Sequence, residues 1–101
     1  MNNKLLEVIF TSIDEYNNQV NEKLRLTKSI DTVLMGSKSK LDSLGLVNLL
    51  VIIEQNTEDE FNKSLTLADE RAMSQKHSPF RTIGTLADYI DMLLNEIKNS
   101  E

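Results

Sequence analysis

Few side chains in this sequence can do chemistry. The clearest candidate is Ser43, in the junction Lys40-Leu41-Asp42-Ser43-Leu44-Gly45, where an irregular segment meets the most apolar run of the chain. A serine hydroxyl is a weak nucleophile until a base removes its proton. No base neighbours Ser43 in sequence, and His77 is the only imidazole. No nucleophile elbow or oxyanion-hole signature accompanies the serine, so a Ser-His-Asp triad is not supported. His77, beside Ser78-Pro79, reads as an exposed loop residue. Cysteine is absent, which removes disulfides, thiolate chemistry and Cys-ligated zinc. A single His cannot build a His-rich metal site. No glycine-rich loop is present to cradle phosphates. The carboxylate pairs Glu58/Asp59 and Asp88/Asp91 read as solvated helix faces rather than as a glycosidase-type pair. The chain is therefore not expected to be an enzyme. In the plainest reading Asp42 caps a helix and Ser43 lies in its first turn.

The elements that position this junction come from an acidic chain of 101 residues, with net charge −5. That length fits a single domain, residues 1–101, with one modest core. Hydrophobic residues are 40% and charged residues 27%, a globular rather than disordered balance. With only 3 Gly and 1 Pro, long helices are favoured over short strands and tight turns. Cations are scattered, which makes a poor surface for a nucleic-acid backbone. The longest apolar run, residues 49–53, is too short to span a membrane, and residues 1–10 lack a signal-peptide core. A cytoplasmic protein without a membrane span is expected.

Residues 3–24 read as an amphipathic helix, with Leu5, Ile9, Ile13, Tyr16, Val20 and Leu24 at spacings of three and four and Asn2 or Asn3 as N-cap. Residues 25–40 have no sustained period; Ile30, Val33, Leu34 and Met35 should turn inward and pin a long loop, and Asp31-Thr32 could open a short helical turn. Residues 43 to about 60 read as the second helix, capped by Asp42. Its apolar residues almost encircle it, which predicts contacts on several sides. A short helix over residues 67–75 is suggested by Thr66 and Asp69 at capping-box spacing, and it ends before Pro79. The last helix is expected over residues 86–98, capped by Thr85, with Leu86, Tyr89/Ile90, Leu93/Leu94 and Ile97 as its stripe. The fold class is all-α: three main helices plus a short one, with a long loop between the first and second.

This order of elements, with Leu41-Asp42-Ser43-Leu44 opening an apolar second helix, resembles the acyl carrier protein family. The resemblance continues through Val47, Leu50 and Glu54 and resumes at Phe61 and Leu86-Ala87-Asp88-Tyr89-Ile90. It implies an acyl-carrier-type bundle, expected to be monomeric, in which a phosphopantetheinyl transferase esterifies Ser43 with 4′-phosphopantetheine from coenzyme A. Asp42 would help hold the transferase's Mg²⁺; no intrinsic metal is implied. The arm's thiol would carry an acyl group to acyl-loading and acyl-using enzymes as a thioester. Leu44, Val47, Asn48 and Glu54 are the implied partner-recognition residues. Leu46, Val47, Leu50, Val51 and Met73 are candidates to line an acyl pocket.

Departures from the family pattern suggest a specialised member. Gly45 and Asn48 stand where carriers of fatty acid synthesis usually have acidic residues, which weakens steering toward basic partners. The second helix is longer than usual by about one turn, and residues 62–80 form a longer, less acidic connector. At the end of the connector and just beyond it, residues 80–83 either cover an acyl cleft or fill the core, and core is the favoured reading. A specialised lipid, polyketide-like or surface-polymer pathway is expected. The alternatives are an aminoacyl or peptidyl carrier, and a helical protein-interaction module in which Ser43 is only part of a helix start.

Overall fold

The computed structural model describes residues 3–36, 38–67 and 79–100, without the side chains of 96–100. Its helices in this region are α1 (Asn3–Asn17), α2 (Ser43–Phe61) and α3 (Ile83–Ser100), with a 3-10 turn at Glu22–Leu24. The described residues contain no sheet; a single antiparallel bridge joins Val33 to Thr82. The all-α expectation and the long loop between the first two helices are thus met. Most of the short helix expected at 67–75 lies outside the described residues, as do Asn2, Met73 and His77.

In α1, Leu5, Ile9, Ile13 and Tyr16 form the predicted buried stripe, with Val8 and Ser12 beside them. A fully buried large aliphatic side chain contributes about 1.5–3 kcal/mol, so this face secures the helix against α2. The helix is shorter than the periodicity predicts. It stops at Asn17, and Leu24, taken as the last residue of the stripe, is 44% exposed. The reason is a contact across nine residues. The Asn17 amide donates to the Leu26 carbonyl at 2.9 Å and accepts from the Leu26 N–H at 2.8 Å. These two bonds turn the chain and bury Leu26.

The loop is held by its backbone as well as by apolar side chains. Leu34 is buried, while Val33 and Met35 are half-buried and Ile30 stays exposed, so the expected inward cluster is anchored mainly by one residue. Asp31-Thr32 starts no helix; Thr32 donates its N–H to Ser29 O at 3.1 Å and its hydroxyl to Thr27 O at 2.7 Å. Against the start of α3, Leu34 N–H donates to Arg81 O (2.7 Å), Ile83 N–H to Thr32 O (3.0 Å) and Gly84 N–H to Ile30 O (2.8 Å).

This ladder explains why α3 begins earlier than predicted. Thr82, not Thr85, is its cap: Thr82 Oγ1 accepts from Thr85 N–H at 3.1 Å, and Thr85 Oγ1 accepts from Thr82 N–H at 3.0 Å. The pair is a capping box with a second Thr in the usual Glu position. Phe80, Ile83, Leu86, Ala87 and Ile90 are fully buried, and Phe80 meets Tyr89 edge-on at 5.8 Å between ring centres. Phe80 and Ile83 therefore fill the core, while Arg81 faces out.

Helix α2 presents Leu46, Leu49, Leu50, Ile53 and Thr57 to the interior. It ends where Asn62 takes a left-handed conformation (φ 56°) and returns its N–H to Glu58 O at 2.8 Å. Asn tolerates that conformation better than most residues. Ser12 and Asn56 give α1 and α2 a polar link, Asn56 Nδ2 donating to Ser12 Oγ at 2.9 Å. Contacts on several sides of α2 are expected from its composition; one side is open, where Leu44 is 70% exposed and Val51 38%.

Candidate functional site

The junction before α2 is set by the last turn of the loop. Ser39 Oγ donates to Leu34 O at 2.8 Å and accepts from Leu41 N–H at 2.9 Å. Ser39 N–H also donates to Gly36 O at 3.1 Å. A serine that bonds nearby backbone in this way stabilises a turn in place of helix. It fixes the direction in which Leu41 enters the core and Asp42 leaves it.

Asp42 is extended (φ −87°, ψ −179°), and its Oδ1 accepts from Gly45 N–H at 2.7 Å. Its carbonyl accepts the first helical bond, from Leu46 N–H at 2.9 Å. This is an N-cap as predicted, and its carboxylate also favours the positive end of the helix dipole. Ser43, the first helical residue, and Leu44 are both exposed. The nucleophile candidate is therefore open to solvent on a rigid element. The Asp42 carboxylate stands beside it with Oδ1 in use.

Gly45 has a steric meaning that the sequence pattern does not convey. A Cβ there would lie 3.1 Å from Asp42 Oδ1, 3.2 Å from the Tyr16 hydroxyl and 3.3 Å from Leu41 Cδ2. The missing acidic side chain at this position is thus a missing side chain of any kind, and the space is taken by Tyr16. From its place on α1, Tyr16 carries its phenol beneath the first turn of α2. Burial pushes the Tyr16 pKa up, and the Asp42 charge adds to the shift. Tyr16 and Ser39 are the residues at this junction that sequence reading missed. Tyr16 was legible only as one member of a core stripe. Ser39 had a usable signal, a serine immediately before the junction.

The other predicted site residues divide into groups. Leu44, Val47 and Asn48 lie on the outer side of α2, with Leu44 and Asn48 exposed and Val47 half-buried. Glu54 belongs to a different interaction: its carboxylate accepts from Leu67 N–H and ties the connector to α2. Of the proposed pocket residues, Leu46 and Leu50 are core, Val47 is half-buried and Val51 is turned outward. The four described members therefore do not share one lining, and Met73 lies outside the described residues.

Among the described residues no group of acidic and His side chains is arranged to hold a metal. No described helix is long and apolar enough to cross a membrane. The chain matches no family model, no curated protein and no solved structure. An exposed hydroxyl in the first helical turn, one partly engaged carboxylate beside it and backbone N–H groups at a helix N-terminus suit a covalently attached phosphate ester.

Proposed function

We propose that this chain is a carrier protein of acyl-carrier type, bearing 4′-phosphopantetheine on Ser43. The observation that supports this most is the exposed Ser43 at the start of α2, next to a capping Asp42 and preceded by a braced loop. In loading, Ser43 Oγ attacks the phosphorus that bears the pantetheine of coenzyme A. The new Oγ–P bond replaces the bond to the adenosine bisphosphate, which leaves, and the serine proton passes to a base on the transferase. The absence of a base beside Ser43 in sequence is then no obstacle. The arm supplies a thiol that holds cargo as a thioester.

This chain's part is positioning. Asp42 Oδ1 holds the first turn through Gly45 N–H, leaving Oδ2 to face a divalent ion brought by the transferase. The helix N-terminus favours the negative phosphodiester. The exposed Leu44 and Asn48, with Val47, form the face next to Ser43 on which loading and acyl-using enzymes would dock. We place the carrier in the cytoplasm, in a specialised acyl pathway, with an aminoacyl or peptidyl cargo as the alternative within this class. The test is intact-mass analysis after incubation with coenzyme A and a broad-specificity transferase. A gain of one phosphopantetheine that disappears in Ser43→Ala supports the reading, and no gain contradicts it.

The outward Leu44 and Val51 favour a second reading, a helical module that binds a partner through α2 and uses no arm. It requires full biological activity from Ser43→Ala.

A further inference from the structure

A second open region lies beside the loop that leads to the Ser43 turn. An open groove of about 550 Å³ runs between Val33, Met35, Gly36 and Lys38 of the first loop and the start of α3, with Arg81 and Thr85 on the far side. This volume is in the range of small-molecule sites. Its floor is the bridge of Val33 to Thr82, held by the Leu34 N–H to Arg81 O bond at 2.7 Å. One rim is the turn at Gly36 (φ +101°), where an added Cβ would meet nothing within 4 Å.

The lining combines two charges with an apolar strip. Lys38 and Arg81 are exposed, and among the described residues neither forms an ion pair with a carboxylate. Other cations nearby are engaged: Lys28 pairs with Asp14 at 3.3 Å, and Lys40 donates to Arg25 O at 3.3 Å. Half-buried Val33 and Met35 supply the apolar strip. Thr82 and Thr85 bond each other, so the helix start itself is already satisfied and the cations define the groove.

We infer that this groove binds a small aliphatic anion, with a carboxylate or phosphate head between Lys38 and Arg81 and its chain on Val33 and Met35. A small ligand is favoured over an acidic protein by the net charge of −5, which repels a large polyanion. A compact anion responds chiefly to the two near cations, since charges beyond about 8 Å are screened at physiological salt. The inference does not rest on the reading of Ser43, because the site is present in the unloaded chain.

The experiment is an amide NMR titration of the unloaded full chain at constant ionic strength. The probes are octanoate, octyl phosphate, octanol and inorganic phosphate. Saturable shifts at residues 33–36 and 81–85 are expected with the first two, and the tighter of them identifies the head group. Octanol, and the double variant Lys38→Gln/Arg81→Gln with either anion, should bind about tenfold more weakly. Both substitutions are at exposed positions, so the melting temperature should not change. The inference is overturned by an absence of saturable shifts, by octanol binding as tightly as octanoate, by inorganic phosphate matching octyl phosphate, or by unchanged affinity in the double variant.

Discussion

The starts of α2 and α3 are both capped helix ends reached from loops, yet they are built in opposite ways. At α3, two threonines close a reciprocal box, Phe80 and Ile83 are fully buried, and three backbone bonds tie the turn to residues 30–34. At α2, one carboxylate oxygen satisfies one N–H, and the next two side chains, Ser43 and Leu44, face solvent. The first arrangement buries and pairs what it has. The second fixes the backbone and leaves the side chains available. The start of α2 thus forgoes the side-chain burial seen at α3 and keeps Ser43 within reach of solvent, as the proposed carrier role requires.

The contrast can be broken by substitution, and the largest stability effect should be at α3. Phe80→Ala is expected to cost about 3–5 kcal/mol, because it empties a fully buried aromatic site. Chemical denaturation measures this, and a loss under about 1 kcal/mol would show that the α3 start is not an anchor. Gly45→Val comes next. Its side chain must displace Asp42, Tyr16 and Leu41, at an expected cost of about 1–3 kcal/mol. An unchanged denaturation midpoint would mean that the close contacts at Gly45 are not needed.

The two caps sharpen the comparison. Thr82→Ala and Asp42→Ala should each cost about 1 kcal/mol. Only the second should also slow loading by a transferase, in a steady-state assay at saturating coenzyme A. Equal loading rates in the two variants would remove the distinction between the two helix ends.

The smallest effect is alkaline. The pKa of Tyr16 is raised in the folded state by burial and by Asp42, so the fold favours the protonated phenol. That contribution is complete below the ordinary tyrosine value, about 10, and is lost as pH rises through the higher folded value. Wild-type stability should therefore fall relative to Tyr16→Phe in alkaline buffer above about pH 10. Parallel pH profiles of the two proteins would show that the phenol is not held in a desolvated place.

What was legible in the sequence follows the same division between local and distant causes. The start of α2 could be read to the residue, because its cap, Asp42, acts on backbone within its own turn; its end was legible only to about residue 60, and the structure adds Asn62 as the stop. The start of α3 could not be read so closely. Thr85 has the spacing of a cap, but pairing of Val33 with Thr82 holds the earlier threonine extended, and that pairing comes from a distant loop. The end of α1 was hidden likewise, since Val20 and Leu24 continue its period while Asn17 binds Leu26. At the site, Asp42 and Ser43 were legible from their types and order. Gly45 was legible only as a missing charge, because its steric role depends on Tyr16 arriving from another helix.

Whether the open helix start carries a covalent arm is decided by intact mass. Wild-type protein and Ser43→Ala are each incubated with coenzyme A, Mg²⁺ and a broad-specificity phosphopantetheinyl transferase, then weighed intact by mass spectrometry. A single added phosphopantetheine is expected on the wild type and none on the variant, with equal melting temperatures for the two unloaded proteins. An unmodified wild type, or a modified Ser43→Ala, would contradict it.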